Sequence, residues 1–213
     1  MPDLATLVLL IPSVLAALTV HEYAHGWVAY QLGDPTAKMM GRLTLNPLAH
    51  LDPIGTILLI VAFFGWAKPV PVNPLNFRNP RRDMIWVALA GPVSNVILAA
   101  LIGFSLQPLI EYRIMEPFGP IYQMMTLAVF INLMLALFNL LPIPPLDGSK
   151  VIAGLIPVQY LGMWLNFERI GPMLLLGVII VASVAHIPIF QSTIMPVADL
   201  LYTLFTGGAP MMN

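Results

Sequence analysis

Cysteine is absent from this 213-residue chain. Disulfides, thiolate metal sites and a cysteine nucleophile are therefore excluded, and the redox character of the compartment stays open. Charge is scarce as well. Asp, Glu, Lys and Arg make up 9% of the residues, against about 25% in a soluble domain, too few to cover a water-facing surface. A net charge of −1 gives no excess of either sign to recruit nucleic acid or an acidic partner. No Lys or Arg precedes Lys38, so the basic start of a signal peptide is missing and the first apolar run is expected to be retained. Internal repeats and low-complexity tracts are also lacking, and nothing between the apolar runs is long enough for a separate soluble domain.

What is plentiful is apolar sequence, 59% of the chain. The expectation is an all-α polytopic membrane protein with about five to six transmembrane helices. It forms one membrane-embedded domain over 1–213, with a motif-bearing core over 4–156 and C-terminal helices over 170–206. The first helix runs from Leu4 to a Gly33-Asp34-Pro35 stop signal. Lys38 to Leu51, with a short alternation and ends marked by Gly and Pro, suits a small membrane-associated β element. Ile54 to Trp66 is short for a span and suits re-entry, and the proline-rich stretch Lys68 to Pro80 is extended loop. Met84–Leu106 and Ile121–Leu141 are full spans. Pro142, Pro144 and Pro145 then break the helix before Leu146–Ile156 resumes it. Pro172–Ile187 is another span, and Ile194–Phe205 a shorter last helix.

Lys38, Arg42, Lys68, Arg78, Arg81 and Arg82 all lie between the first and second full spans. The positive-inside rule puts these basic loops in the cytoplasm, the N-terminus outside, and the protein in a cell membrane, prokaryotic by expectation. Full spanning by Ile54–Trp66 would divide the basic group between two sides, which favours re-entry.

His21-Glu22-Tyr23-Ala24-His25 lies in the first helix. Residues four apart stack on one helix face, so both imidazoles can reach one ion. Zinc suits imidazole nitrogen, and Glu22, offset between the two, suits a base acting on water at that ion. Two histidines used only in packing, with Glu22 paired nearby, is the plainer reading. It leaves three costly polar groups in hydrocarbon without a use, at roughly 2.5–3.5 kcal/mol for a charged one. Catalytic zinc usually has three protein ligands, and the third must come from apolar sequence. His50 and His186 lie at segment ends, Asp52 and Asp83 in the basic region, Glu111 and Glu116 in a polar connection. Asp147 directly follows the proline break, where broken backbone is tolerated only if buried or lining a wet cavity. Ligation and helix N-capping both suit it. Asn95, in Gly91-Pro92-Val93-Ser94-Asn95, is a buried amide able to bond a substrate backbone or a developing oxyanion. Asn139 can satisfy carbonyls freed by the break.

His21-Glu22-x-x-His25, Gly91-Pro92-x-x-Asn95 and Asn139-x-x-Pro142-x-Pro144-x-x-Asp147-Gly148 occur in that order on three apolar segments. The arrangement closely resembles the site-2 protease family of intramembrane zinc metalloproteases, over residues 15–156. Gly41-Arg42-Leu43-Thr44-Leu45-Asn46-Pro47 and the run Trp66 to Pro74 are similar to that family's connecting segments. The resemblance implies one zinc ion held by His21, His25 and Asp147, Glu22 as general base and acid, and Asn95 assisting substrate or transition state. It also implies transmembrane protein substrates within the lipid bilayer. Many members carry a PDZ or CBS domain, for which this chain has no room, so recognition falls to the membrane domain, a homodimer or a regulatory membrane partner. An exposed edge near Arg42 to Leu45 could hold an unwound substrate stretch by strand addition. A rival function is a zinc-binding transporter or sensor, which would also use His and Asp in a broken-helix cavity but has less need of Glu22.

Overall fold

The computed structural model describes residues 4–53, 55 and 67–210. Helix α1 (Leu4–Gln31) is followed by a single turn, α2 (Thr36–Met39), and by 3-10 turns at Pro47–His50 and Pro74–Asn76. Then come α3 (Pro80–Glu111), α4 (Pro120–Asn139), α5 (Asp147–Leu155), α6 (Leu161–Val184), α7 (Ile189–Thr193) and α8 (Met195–Thr206). Four stretches among the described residues are long and apolar enough to cross a bilayer: Leu7–Gln31, Pro80–Glu111, Pro120–Asn139 and Val158–Val184. The all-α polytopic expectation stands; four such helices lie among the described residues, where five to six were expected of the whole chain. Helices α5 and α8 are too short to span, at 9 and 12 residues. The re-entrant reading of Ile54–Trp66 lies outside the described residues.

The β element over Lys38–Leu51 is a correction. Among the described residues there is no strand there, only α2, bends and the Pro47–His50 turn, with one isolated antiparallel bridge from Leu51 to Ala67. Short-range bonding explains it. Asn46 Oδ1 accepts from Leu48 N at 3.1 Å, which closes the chain into a local turn. Arg42 folds its guanidinium onto Lys68 O at 2.7 Å, tying this region to the next loop through a side chain instead of a ladder. The expected strand edge at Arg42–Leu45 is accordingly absent. The last span begins eleven residues before Pro172, because proline is accommodated inside α6.

Helix α3 is the hub, packing on α1, α4, α5 and α8. In lipid, apolar surface gains little by leaving one hydrocarbon for another, so helices associate where small residues let backbones approach. Ala17, Ala29, Ala88 and Ala99 are fully or almost fully buried on α1 and α3. Gly103 lies so close to α8 that an added Cβ would sit 2.7 Å from Phe205 Cβ. At α3 the core comprises Ala99, Val129, Leu133, Tyr202 and Phe205. Helix α6 stands apart: its apolar window is only 11% buried.

Beyond the end of α1, buried Asp34 clasps the loop that follows. Its carboxylate accepts from Thr36 Oγ1 (2.5 Å), Thr36 N (3.1 Å), Asn76 Nδ2 (2.6 Å) and Asn73 N (2.7 Å). Burial would raise its pKa, but these donors outweigh burial and hold the carboxyl below its usual range. A depressed folded-state pKa means stabilisation present above the unfolded value and lost as pH falls through the folded one. Thermal unfolding in detergent between about pH 7 and pH 3 should show wild-type stability declining below about pH 4. Asp34→Asn should start about 1.5–3 kcal/mol lower at neutral pH and show a flatter acid limb. An Asp34→Asn acid limb as steep as wild type would assign that titration elsewhere.

Candidate metal centre

His21 and His25 lie on the inner face of α1, with 4% and 8% exposure, and His25 is six residues before the helix end at Gln31. At 1.5 Å per residue the pair sits about 9 Å inside that end, somewhat shallower than a helix running to Gly33 would give. Asp147 is the first residue of α5, and no side chain caps that helix at Leu146. Its carboxylate is turned instead toward the histidines. Asp147 Oδ2 lies 3.1 Å from His21 Nε2 and 3.1 Å from His25 Nε2, and the two Nε2 atoms are 3.0 Å apart. The two segments meet because the chain after α4 turns sharply. Gly148 makes the turn possible: a Cβ there would lie 2.5 Å from Leu141 O.

The donor set tests whether a cation fits. His21 Nδ1 faces Asn95 Oδ1 at 2.6 Å, and His25 Nδ1 faces the Val87 carbonyl at 2.6 Å. Both partners are acceptors, so each imidazole carries its proton on Nδ1 and, when neutral, turns a bare Nε2 lone pair inward. Two lone pairs and a carboxylate oxygen then converge on one buried point with no proton between them, an arrangement that favours a cation. Zinc bonded tetrahedrally at about 2.0–2.1 Å holds its ligand atoms about 3.3 Å apart, close to the spacings here. Among the described residues, His21, His25 and Asp147 form the group of His and acidic side chains able to hold a metal ion. The residues present fit zinc.

Around this triangle the remaining predicted residues are distributed. Glu22 is 9% exposed and its Oε2 accepts from Val70 N at 2.7 Å. In Pro69-Val70-Pro71 only Val70 has an amide proton, and it is spent on Glu22. Asn95 is fully buried, with Oδ1 on His21 and Nδ2 on Ala17 O and Asn132 Oδ1. Asn139 donates to Leu135 O at 2.9 Å, within its own helix. His50 is buried on Thr44 O and His186 is exposed, neither of them in the cluster. An open groove of about 470 Å³ lies beside α5, lined by Pro144 and Pro145 together with Arg81, Lys150 and Glu168. Lys150 links groove to cluster: its Nζ is 3.0 Å from Asp147 Oδ1, the oxygen not shared with the histidines.

The sequence reading missed Val70, Lys150, Val87 and Asn132. A lone amide proton between two prolines was a usable signal for Val70, and i, i+3 spacing from Asp147 for Lys150. A backbone carbonyl and a mid-helix asparagine carry none.

Gly91 sets how near α3 comes. A Cβ there would lie 2.6 Å from His21 Nε2, too close for any real contact, so only glycine fits against the cluster. Gly91→Ala should therefore reduce bound zinc in the purified, folded protein by tenfold or more, read by elemental analysis against chelator. Zinc retention equal to wild type would mean that α3 can retreat at little cost.

Comparison with known proteins follows the same lines. Residues 117–160, spanning α4, the proline break and α5, match the model of peptidase family M50. The chain is 51% identical over 152 residues to YwhC of Bacillus subtilis, which carries a zinc-metalloprotease name, covering 70% of this chain and 69% of that protein. Rip2 of Mycobacterium tuberculosis, similarly named, is 34% identical over 155 residues, covering 68% of this chain and 56% of its own length. Stage IV sporulation protein FB of Bacillus subtilis is 28% identical over 144 residues, 63% of this chain and 46% of that one. The chain thus spans about half the length of the latter two. No solved structure matches it.

Proposed function

The chain belongs to peptidase family M50, the site-2 protease family of zinc metalloproteases, and from that premise we propose that it is an intramembrane zinc endopeptidase cutting transmembrane segments of other proteins. The single observation that supports this most is the convergence of His21 Nε2, His25 Nε2 and Asp147 Oδ2 within 3.1 Å on apolar helices. His21, His25 and Asp147 are the proposed ligands of one zinc ion. Bound there, zinc supplies Lewis acidity toward a peptide carbonyl and a water molecule.

Glu22 is the proposed general base and acid. Its carboxylate takes a proton from the attacking water as the oxygen–carbon bond forms, and delivers that proton to the departing amide nitrogen as the carbon–nitrogen bond breaks. The Val70 amide fixes Oε2, leaving Oε1 as the oxygen free to turn toward substrate. Asn95 is proposed to act through His21, because its amide is already engaged by His21, Ala17 O and Asn132. The groove beside Pro144 and Pro145, linked to Asp147 through Lys150, is the proposed path of water toward the buried cluster. A substrate helix hides its peptide bonds in its own hydrogen bonds, so it unwinds before attack. The chain acts as one membrane-embedded catalytic domain. Its basic segments between α1 and α3 face the cytoplasm, in keeping with the charge asymmetry.

The test is cleavage of a model transmembrane substrate by purified protein in detergent, wild type against Glu22→Gln, with zinc measured in both. Equal zinc in both, with turnover lost by about 10²–10⁴-fold or more in Glu22→Gln, is expected. Equal cleavage by both would remove Glu22 from the chemistry. Zinc flux across vesicles that survives Glu22→Gln, with no cleavage by either protein, would instead make the chain a transporter.

A further inference from the structure

Two asparagines stand in series behind His21. Asn95 on α3 and Asn132 on α4 are 0% and 1% exposed. Their amides form a directed chain anchored on backbone carbonyls, which can only accept. Asn132 Nδ2 donates to Ala128 O at 2.8 Å, and Asn95 Nδ2 donates to Ala17 O at 3.0 Å. With Nδ2 so committed, Asn132 has only Oδ1 to turn toward Asn95, and it accepts from Asn95 Nδ2 at 2.7 Å. Asn95 in turn has only Oδ1 to offer His21 Nδ1 at 2.6 Å. An amide oxygen cannot donate, so the proton of this contact belongs to His21 Nδ1 and the Nε2 lone pair is left bare.

We infer that Asn132, acting through Asn95, fixes the tautomer and ring orientation of His21 and is a positioning residue of the metal centre. The inference rests on the assignment of His21 as a ligand. His25 needs no such device. Its acceptor is Val87 O, a main-chain carbonyl that cannot change into a donor. The acceptor for His21 is a side-chain amide, whose oxygen and nitrogen are alike in shape and exchange places by a half-turn. A turned Asn95 would aim Oδ1 at both Ala17 O and Asn132 Oδ1, and would aim Nδ2 at His21. The imidazole proton would then move to Nε2, where it blocks ligation. Asn132 opposes that turn with an acceptor whose own direction is fixed by Ala128. Asparagines that only held helices together would need no such polarity along the chain.

The experiment measures zinc affinity by chelator competition in the purified full-length protein. The variants are Asn132→Leu, Asn95→Leu and the double variant, with thermal unfolding as a folding control. Outer partners of metal-bound histidines typically contribute about 10–100-fold in metal affinity, and a loss in that range is expected for Asn132→Leu. Because Asn132 acts only through Asn95, the double variant should bind zinc no more weakly than Asn95→Leu alone. Wild-type affinity in Asn132→Leu, or losses that simply add in the double variant, would overturn the inference. Histidine-labelled, zinc-loaded wild type gives a second reading that needs no variant. Long-range ¹H–¹⁵N spectra should find the His21 proton on Nδ1, and a proton on Nε2 with zinc on Nδ1 would overturn the relay while leaving the metalloprotease reading intact. Absence of bound zinc from wild type would overturn both.

Discussion

Two imidazole nitrogens and a carboxylate oxygen meet within 3.1 Å of one another in a bundle of apolar helices, and neutral imidazoles protonated on Nδ1 turn their lone pairs inward there. In a low-dielectric interior such a convergence is strongly unfavourable unless a cation joins it. Much of the surrounding structure is an accommodation to that one point. Helix α1 brings the histidines four residues apart, α3 comes close enough to touch them because residue 91 has no side chain, and α5 restarts at the right height to bring Asp147 across. Outward-facing bonds from Asn95, Val87 and Lys150 hold the three proposed ligand groups in their inward orientation. A metal centre whose outer partners are fixed loses little freedom when the ion binds.

The loop between α1 and α3 belongs to the same design. Asp34 gathers Thr36, Asn73 and Asn76, and Arg42 reaches the Lys68 carbonyl, so the extended run Lys68–Val72 is pinned at both ends. Its central amide, Val70 N, ends on Glu22. The carboxylate beside the proposed metal ligands is thereby steered by a loop that lies outside the spanning helices. The groups that stabilise this loop are therefore connected to Glu22, the proposed general base, through a single hydrogen bond.

Much of this was legible in the sequence because membrane helices obey strict local rules. The 3.6-residue period places His21 and His25 on one face wherever the helix sits, and three prolines before Asp147 leave no choice but a break. The boundaries of α4 and α8 fell within two residues of expectation for the same reason, while α3 runs four residues further at its start and five at its end. The β element over Lys38–Leu51 misled, since alternation in a short segment does not distinguish a strand from successive turns held by Asn46 and Arg42. Pro172 misled as a helix start, because a membrane helix can keep a proline in its interior where neighbouring groups or a local adjustment re-satisfy the freed carbonyl. Asn132 was invisible for a deeper reason. Its significance lies in which way an amide points, and that depends on Ala128, Asn95 and Ala17 coming together from three helices.

X-ray absorption at the zinc edge of the purified wild-type protein tests the central claim most directly. One zinc per chain is predicted, with two imidazole nitrogens and at least one oxygen at about 2.0–2.1 Å. Zinc bound without histidine, or a folded protein that binds none, would contradict the account.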